Sequence, residues 1–433
     1  MANVVVCKLE YVVKHPNADR LQIAKALGNT VIVGLDNFDG QLGLFFEDDS
    51  KLGESFAKAN DLTPIRDEFG KKINSTFFDD NLRVRCLRLR GVKCEGYWVP
   101  ISFLAFTGYD LSKLKEYDCF DTLNGHLIVE KYVTKATREK GLKNNNQPKK
   151  VKIVKVLGMV EHFDTSQFRH VAHGYKKGEV VYISAKLHGT SQRFGFVEEL
   201  DETPRSQFLR KWLNKVGISY KPTMKRQWKH IVGTRRVILK GADSPTSFYG
   251  NEQFRYNAVK DLYGRLEKEE VLFMELVGYQ DNGKPIMEPA KLAGLKDKSL
   301  VKKYGEVMHY KYGKPVGQCS LYCYRIARTN EDGKLVDLSW TQMVERCEQL
   351  GVKTPPLLVE PFIYDGNEEK LRELVDSLVE RDDPIDPSHV MEGLCVRVDR
   401  YPQPLVSKQK SFLFKLLEGM IKDEGAEDME ESA

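Results

Sequence analysis

Lys186 lies where a run of strand-forming residues, Glu179 to Ala185, gives way to the turn-like sequence Leu-His-Gly. A lysine at the end of a strand can act as a nucleophile when its amine is neutral, a state that burial or a nearby positive charge favours. Gly189, three residues later, would let the backbone approach a nucleotide closely. Taken alone, the pattern more often marks an exposed lysine before a turn, because short motifs recur by chance.

Four further segments follow in order, each with charged residues in or beside an apolar run. They are Val232–Leu239 with Arg235 and Arg236, Phe273–Gly278 with Glu275, Met391–Arg397 with Glu392, and Ser411–Leu416 with Lys415. Glu275 and Glu392 are single acids among apolar residues, where an unpaired charge is costly unless it is used. Both are therefore candidate ligand-binding groups rather than surface carboxylates.

The order Lys-x-His-Gly, Thr-Arg, Phe-x-Glu-x-x-Gly, Glu-Gly, Lys resembles motifs I, Ia, III, IV and V of the covalent nucleotidyltransferases, over nearly the whole chain. Within that group the chain is similar to ATP-dependent RNA ligases that carry an OB-fold domain ahead of the catalytic domain. Those enzymes have His where His188 stands, whereas DNA ligases and capping enzymes usually have Asp. The resemblance implies an RNA ligase that joins 5′-phosphate and 3′-hydroxyl ends through lysyl-AMP and an adenylylated RNA end.

The resemblance assigns the catalytic roles to three residues. Lys186 would attack the α-phosphorus of ATP and become the lysyl-AMP. Glu392 would hold a divalent metal, Mg²⁺ or Mn²⁺, largely through water, as hard oxygen ligands allow. Lys415, together with that ion, would neutralise the charge of the α-phosphate.

The nucleotide-binding roles fall on five further residues. The resemblance places His188 and Gly189 in the nucleotide pocket, and it makes Glu275 an acceptor for the ribose hydroxyls. Arg235 would serve the ribose or the incoming 5′-phosphate, with Arg236 as the alternative. Tyr324 is the first choice for the aromatic residue that packs on adenine in motif IIIa.

Tyr322 is the second choice for that aromatic, and core packing is the expected role of at least one of the two tyrosines. Motif V departs from the family pattern, because relatives usually read Lys-x-Lys and this chain has Leu413 at the first position. Lys408 or Lys410 would then supply the missing charge.

The length of 433 residues predicts two or three domains. The predicted fold class is α+β: an N-terminal OB-like β-barrel, then a nucleotidyltransferase (ATP-grasp-like ligase adenylation) domain with antiparallel sheets and flanking helices. The predicted boundaries are 1–135 for the OB-like nucleic-acid-binding domain, 136–150 for a basic linker, 151–420 for the adenylation domain and 421–433 for an acidic tail. The net charge of +5 includes the six acids of that tail and suits a polyanionic partner.

The first domain reads as short strands separated by turns, at Val4–Leu9, Thr30–Gly34 and Gln41–Phe46. Between the first two, His15 to Ile23 resembles the opening of OB-fold domains. Within Asn81–Gly91, apolar residues alternate with arginines, with a one-residue slip at Cys86-Leu87 typical of a bulge. The alternation predicts one strand face lined by four guanidinium groups that contacts either nucleic acid or solvent: Arg83, Arg85, Arg88 and Arg90. We expect this domain to bind nucleic acid near the break and to contribute nothing to nucleotide chemistry.

Three other features of the second domain have alternative interpretations. The segment Asp164-Thr165-x-Gln167 resembles one that precedes motif I and is a candidate wall of the nucleotide pocket. His162, His170 and His173 lack the fourth ligand and tight pairing of a zinc site, so metal binding there is disfavoured. The segment from Thr203 to His230 has eight basic residues and no acid. Its apolar residues at helical spacing predict a helix packed on the domain, with a charged side facing solvent or RNA: Phe208, Leu209, Trp212, Leu213 and Val216.

The eight cysteines include no Cys-x-x-Cys pair, and several lie in apolar runs, which predicts free thiols in a reducing compartment. The expected location is the cytoplasm, and the nucleus has the same redox state. The expected partner is RNA ends in a nicked duplex, with no membrane, since no signal-peptide pattern or spanning apolar run is present.

A DNA ligase or a capping guanylyltransferase is the nearest alternative, and His188 and the leading OB-like domain argue against both. A non-catalytic RNA-binding protein built on an OB fold is the alternative from another class. That interpretation leaves the ordered lysine, glutamate and glycine motifs unexplained.

Overall fold

The computed structural model describes residues 4–74, 77–134, 156, 158–215, 218, 221–242, 249–293 and 298–423. The predicted linker 136–150 and nearly all of the predicted acidic tail lie outside the described residues. Below, the first region denotes described residues up to 134 and the second region those from 156 onward. The architecture is mixed α+β, with sheets that are almost entirely antiparallel.

Strands of the first region are short, apart from the first. They are β1 (Val4–Lys14), β2 (Leu21–Ala26), β3 (Asn29–Gly34), β4 (Leu42–Glu47), β5 (Ser50–Leu52), β6 (Leu87–Leu89), β7 (Val92–Cys94), β8 (Gly96–Pro100), β9 (Cys119–Phe120), β10 (Thr122–Leu123), β11 (His126–Leu127) and β12 (Val129–Lys131).

Strands of the second region include the longest of the described chain. They are β13 (Ser166–Gln167), β14 (Val180–Lys186), β15 (Thr190–Glu202), β16 (Met224–Gly233), β17 (Glu270–Gly278), β18 (Ala290–Lys291), β19 (Val307–Met308), β20 (Cys319–Thr329), β21 (Leu335–Asp337), β22 (Phe362–Ile363), β23 (Gly393–Val398) and β24 (Leu405–Lys410).

The α-helices lie mainly in the second region. They are α1 (Glu54–Ala59), α2 (Phe168–Val171), α3 (Pro204–Lys215), α4 (Gln253–Ala258), α5 (Lys298–Tyr304), α6 (Trp340–Leu350), α7 (Glu368–Val379) and α8 (Phe412–Asp423), with 3₁₀ turns at Ile101–Thr107, Leu111–Lys113, Ala172–Gly174 and Lys260–Leu262. No α-helix within these ranges is long and apolar enough to cross a membrane.

The first region is built on a curled sheet in the order β3-β2-β1-β4-β8, with β9 added to β1. The three predicted strands are confirmed as β1, β3 and β4. Val4 and Val6 enter one apolar cluster and Val5 and Cys7 the other, because successive side chains of a strand point to opposite faces. The sheet nearly closes, since the backbone N–H beside β8 at Glu95 donates to the carbonyl of β3 over 2.8 Å.

The second region contains two five-stranded sheets, β13-β24-β23-β14-β22 and β16-β15-β17-β20-β21. The chain passes from the first sheet to the second through Leu187, His188 and Gly189, between the end of β14 and the start of β15. Lys186, the last residue of β14, therefore lies at the junction of the two sheets. An apolar cluster that includes Leu187 fills the space beneath this junction.

Buried polar contacts join the two regions. Arg169 of α2 is 4% exposed and donates to Asn29 over 2.7 Å and to Asp376 of α7 over 2.6 Å. The same guanidinium lies 3.4 Å from Glu95. Although burial opposes it, this cation and Lys93 lower the pKa of Glu95 to about 2. The regions are therefore held together by charges that neither could bury alone.

Candidate active site

Lys186 and Glu392 meet where β14 and β23 begin to pair. The register pairs Lys186 with Gly393, which brings the preceding Glu392 carboxylate to 2.5 Å from the Lys186 amine. The Glu392 side chain is fully buried, and that of Lys186 is 22% exposed. A Cβ on Gly393 would lie 2.2 Å from the carbonyl of Gln409, so only glycine lets β24 pack this closely beside the pair.

Strand β24 adds two more lysines to the same sheet face. Its register pairs Lys410 with Gly393 and Lys408 with Cys395, so both side chains point to the face that carries Lys186. The Lys410 amine lies 3.6 Å from the Glu392 carboxylate and 3.0 Å from Glu418. Lys186 and Lys410 therefore both lie close to one buried carboxylate, and Lys408 shares their sheet face.

Lys415, predicted to act beside Lys186, contacts a carboxylate of the first region. It lies in α8, 7% exposed, with its amine 2.9 Å from Asp48 of the first region. Burial opposes the charge, but the Asp48 carboxylate holds the pKa of Lys415 above its usual range. Lys415 therefore has a partner in the first region, whereas Lys410 is the lysine that lies close to Glu392.

His188 and Gly189 form the turn between the sheets. The His188 N–H donates to the Tyr312 hydroxyl over 2.5 Å, and its ring packs edge-on against Tyr310 and Phe414. A Cβ on Gly189 would lie 2.4 Å from a carbonyl of β17. Gly189 therefore permits close approach of the turn to β17, a reason for glycine that does not depend on a nucleotide.

Glu275 and Tyr324 lie on the second sheet. Glu275 on β17 pairs in register with Ser191 on β15. The register of β17 with β20 slips between Phe273 and Met274, which leaves Tyr324 as the extra residue of a bulge. Its hydroxyl lies 3.5 Å from Ser191, and its pKa is raised by burial and by Glu275. Glu275 and Tyr324 therefore flank the same serine.

Tyr322 is 4% exposed and belongs to the apolar cluster beneath the junction. This placement matches the expectation that one of the two tyrosines serves the core, and it leaves Tyr324 as the candidate for ligand contact.

Arg235 lies in the segment after β16, and its guanidinium contacts Asp164 at 2.5 Å. Arg236 is exposed. The ring of the nearby His162 lies 5.2 Å from that of Tyr324. Burial, and then the cations Arg325, Arg235 and Lys408, lower the pKa of His162 to about 3. The segment from 164 to 167, predicted to line the nucleotide pocket, thus begins at the residue that contacts Arg235, two positions after the histidine beside Tyr324.

Two buried arginines support the site and were not predicted. Arg255 of α4 donates to the Ser191 carbonyl over 2.9 Å and to the Thr190 hydroxyl over 2.8 Å. Arg193 of β15 donates to the carbonyl of Thr234 over 2.5 Å, and burial lowers its pKa to about 10. Nothing in the sequence distinguishes these arginines from surface ones, because most of their partners are distant in the chain, although Arg255 also contacts Glu252 at 2.6 Å.

The prediction that four arginines line one face of a single strand is wrong. Arg83 is 2% exposed, contacts Asp49 at 2.5 Å and donates to the Gly419 carbonyl of α8 over 3.2 Å. Arg85 pairs with Asp79 at 2.5 Å. Strand β6 covers only Leu87–Leu89, and Arg90 has a positive φ of 47°. Arg88 and Arg90 remain exposed, and the rest of the row is used in folding.

The three histidines His162, His170 and His173 have other neighbours in the structure. Across the described ranges, no group of three or more His, Cys, Asp or Glu could hold a metal ion. His170 instead contacts Glu47 of the first region at 3.1 Å.

The arrangement suits attack on a phosphate. A lysine at a sheet junction lies beside a buried carboxylate, with two further lysines on its face to stabilise negative charge. Glu275 and Tyr324 on the neighbouring sheet, with Arg235 after β16, add an acceptor, an aromatic ring and a guanidinium. These groups match the needs of a nucleotide ligand: ribose, base and phosphate.

A sequence model described as RNA ligase matches residues 179–417. The fold is similar over 95% of the chain to a Naegleria gruberi RNA ligase mutant with ATP and Mn, at 13% identity, 98% coverage of that chain and a TM-score of 0.56. A second mutant of that ligase, with AMP and Mn, gives 13% identity, the same 95% of this chain, 97% of that chain and a TM-score of 0.57. For the same ligase with PPi, the identity is 14%, the match covers 95% of this chain and 97% of that chain, and the TM-score is 0.54. The search of curated proteins found no match.

Proposed function

This chain belongs to the RNA ligase family, and we propose that it uses ATP to join a 5′-phosphate to a 3′-hydroxyl of RNA through an AMP adduct on Lys186. One observation carries the proposal: the contact between Lys186, at the end of β14, and the buried Glu392 carboxylate, on a face that also holds Lys408 and Lys410. The Naegleria gruberi structures with ATP, AMP or PPi support ATP as the donor.

The reaction proceeds by three displacements. The Lys186 amine attacks the α-phosphorus of ATP, an N–P bond forms, and the bond to pyrophosphate breaks. An oxygen of the RNA 5′-phosphate then attacks the same phosphorus, so that the N–P bond breaks and the lysine is regenerated. Finally the 3′-hydroxyl attacks the 5′-phosphorus of the RNA and AMP leaves. Each displacement depends on alignment and on neutralising the charge of the phosphates.

Lys186 must lose a proton before it can attack. Its ammonium donates to Glu392 over 2.5 Å, so this carboxylate is within reach to orient the amine and accept the proton. Lys410 lies 3.6 Å from the same carboxylate and can replace the charge of Lys186 as that residue becomes neutral.

We assign motif V to Lys408-Gln409-Lys410, which has the Lys-x-Lys pattern, instead of to Leu413-Phe-Lys415. The pairing of β24 with β23 supports this assignment, because it points both lysines to the face of Lys186. They would neutralise the α-phosphate in the first displacement.

A divalent ion fits Glu392. This residue offers one buried carboxylate, and ions such as Mg²⁺ commonly bind one or two carboxylates, with phosphate oxygens and water completing the shell. Such an ion would supply positive charge at the phosphate. Mn in the related Naegleria gruberi structures supports this use of a metal.

The neighbouring sheet would hold the nucleoside through groups on β17 and β20 and in the segment after β16. Glu275 accepts hydrogen bonds from the ribose hydroxyls, and Tyr324 packs on the adenine. Arg235 binds the ribose or the 5′-phosphate, and must exchange its present contact with Asp164 to do so. His188 and Gly189 shape the turn beneath the phosphate.

The domain proposal follows the same similarity. The curled sheet of the first region is the OB-like fold, the two sheets of the second region are the nucleotidyltransferase fold, and the boundary lies in residues 136–150. The substrate is a nicked duplex. Arg88 and Arg90 are the members of the predicted row that are exposed for RNA contact.

Incubation with labelled ATP or GTP and Mg²⁺, followed by addition of nicked duplexes with RNA or DNA strands, tests the proposal. Label from ATP and sealing of RNA are expected. Label from GTP would indicate a capping enzyme, preferred sealing of an all-DNA nick would indicate a DNA ligase, and no label at all would indicate a binding protein.

A further inference from the structure

A hairpin with a helix at its end projects from the sheet that holds the nucleoside side of the site. Strands β15 and β16 pair without a break from Arg193 opposite Gly233 to Glu202 opposite Met224. Helix α3 follows β15 directly at this far end. We call residues 198–229 the arm. From Thr190 to Glu202 the strand advances roughly 40 Å at ~3.3 Å per residue, so α3 lies far from Lys186.

Helix α3 uses its smaller apolar residues to pack on the arm. Ser206 is 1% exposed, and Leu209 and Leu213 are half-buried. Arg210, on the same side, pairs with Glu202 at 2.8 Å. The sequence predicted that Phe208 and Trp212 would pack inward as well, and the structure corrects this: they are 71% and 57% exposed.

The outward face of α3 combines these two aromatics with positive charge. Arg205, Lys211 and Lys215 are exposed and make no ion pair with a described residue. At 3.6 residues per turn, these three and the two aromatics fall within an arc of about 120°. No acid interrupts the face.

The arm contains four acids against eight basic residues, so its net charge is +4. Glu198 contacts Arg226 at 3.3 Å, Glu199 contacts Lys229 at 3.1 Å, and Glu202 contacts Arg210. Asp201 is the fourth acid and pairs in strand register with Lys225 of β16. The arm therefore carries an excess of positive charge, which suits a polyanion.

The exposed rings of Phe208 and Trp212 indicate which kind of polyanion this face would bind. A duplex keeps its bases stacked and offers an aromatic ring no partner, whereas unpaired bases stack on aromatic side chains while cations contact the phosphates. Resting on the RNA ligase function proposed above, we propose that the outward face of α3 binds an unpaired stretch of the RNA substrate, remote from the break. Phe208 and Trp212 take the bases, and Arg205, Lys211 and Lys215 take the phosphates.

The first test is equilibrium binding of a fluorescent single-stranded RNA to the full chain without ATP. Phe208→Ala/Trp212→Ala should weaken binding about 10-fold or more, the scale of stacking one or two bases, and leave the salt dependence unchanged. Phe208→Tyr/Trp212→Phe should retain binding. Phe69→Ala removes an aromatic that is 87% exposed in the first region and is the matched control. Lys211→Ala/Lys215→Ala should instead lower the slope of log affinity against log salt by ~0.7 per lost phosphate contact.

The second test is sealing of nicked duplexes with and without a long unpaired extension, placed on either side of the break. The alanine pair should remove any advantage of the extension and leave sealing of the plain nick and labelling by ATP unchanged. Unchanged affinity for single-stranded RNA would overturn the proposal. Loss of binding to anionic vesicles, with RNA binding intact, would make the face a membrane contact instead. Failure of the wild type to take label from ATP would count against the ligase function, not against the arm.

Discussion

Removing the Asp48 carboxylate should destabilise the protein strongly, because Lys415 would remain buried without a partner. The two groups lie 2.9 Å apart across the two regions, and Lys415 is 7% exposed. Breaking a buried pair by removing one member costs about 3–5 kcal/mol, whereas replacing both members by apolar groups is often neutral. Asp48→Leu or Lys415→Met alone should therefore lower the free energy of unfolding by about that amount, and the double variant should recover most of it.

The control is an exposed pair in the first region. Lys8 and Glu116 lie 3.0 Å apart with side chains 51% and 30% exposed, so Glu116→Gln should change the free energy of unfolding far less than either single variant of the buried pair. Urea unfolding midpoints of the three variants and the control give the comparison. Single variants as mild as Glu116→Gln would refute the inference that the Asp48–Lys415 pair is buried and coupled.

The same double variant separates two roles for Lys415. If Lys415 acts on the α-phosphate, Asp48→Leu/Lys415→Met should lose self-adenylylation even when it is stable. If its role is to hold α8 on the first region, the stable double variant should keep self-adenylylation within a few-fold. We predict the second result, because Lys410 and not Lys415 approaches Glu392.

Three further outcomes are expected. Lys410→Ala should lower the rate of self-adenylylation by about 100-fold or more, the scale for removing a preorganised charge, and Lys408→Ala should also lower it; rates equal to wild type in both would contradict the motif V assignment. A protein beginning at residue 156 should aggregate or unfold rather than retain adenylylation, since Arg169 and Lys415 lose partners in the first region; a folded fragment seen by circular dichroism would contradict this. Because the pKa of His162 is lowered from 6.5 to about 3, the folded state binds fewer protons than the unfolded state between these values. Stability should therefore fall as pH decreases below about 6.5, and it should fall less in His162→Gln, as followed by urea unfolding at several pH values.

The sequence predicted that the first domain contributes nothing to nucleotide chemistry. The expected loss of adenylylation in a protein that begins at residue 156 is the opposite prediction. The sequence contains Asp48 and Glu95, but it gives no sign that they neutralise cations more than seventy positions away in the chain. The structure places Asp48 against α8, directly after the strand that carries Lys410. The first region is therefore expected to help position that strand.

Local pattern was sufficient to single out Lys186, Glu392 and Glu275 as candidates, and the family resemblance then gave each of them a role. Each is a lone charged residue at the end of, or within, an apolar strand, and strand periodicity is a local signal. Motif V could not be chosen in the same way, because lysines occur at 408, 410 and 415 and only the pairing of β23 with β24 decides which of them faces Glu392.

The predictions for the arginine row and for the inward face of α3 were wrong for a related reason. The alternation showed where arginines stand among apolar residues. It did not show that Arg83 is buried, because the carboxylate that pairs with it, Asp49, is distant in sequence. In α3, helical spacing grouped five apolar residues into one stripe; Val216 lies outside the described residues, and of the other four only Leu209 and Leu213 turn inward. The spacing of residues along a helix or strand shows which of them lie on the same face. Which face is buried depends on contacts with the rest of the protein.

The most direct test of the central claim is to locate the AMP by mass spectrometry of peptides from protein incubated with ATP and Mg²⁺. The account predicts one adduct, on the peptide that contains Lys186, which disappears in Lys186→Ala. An AMP adduct on another lysine, or an undiminished adduct in Lys186→Ala, would contradict it.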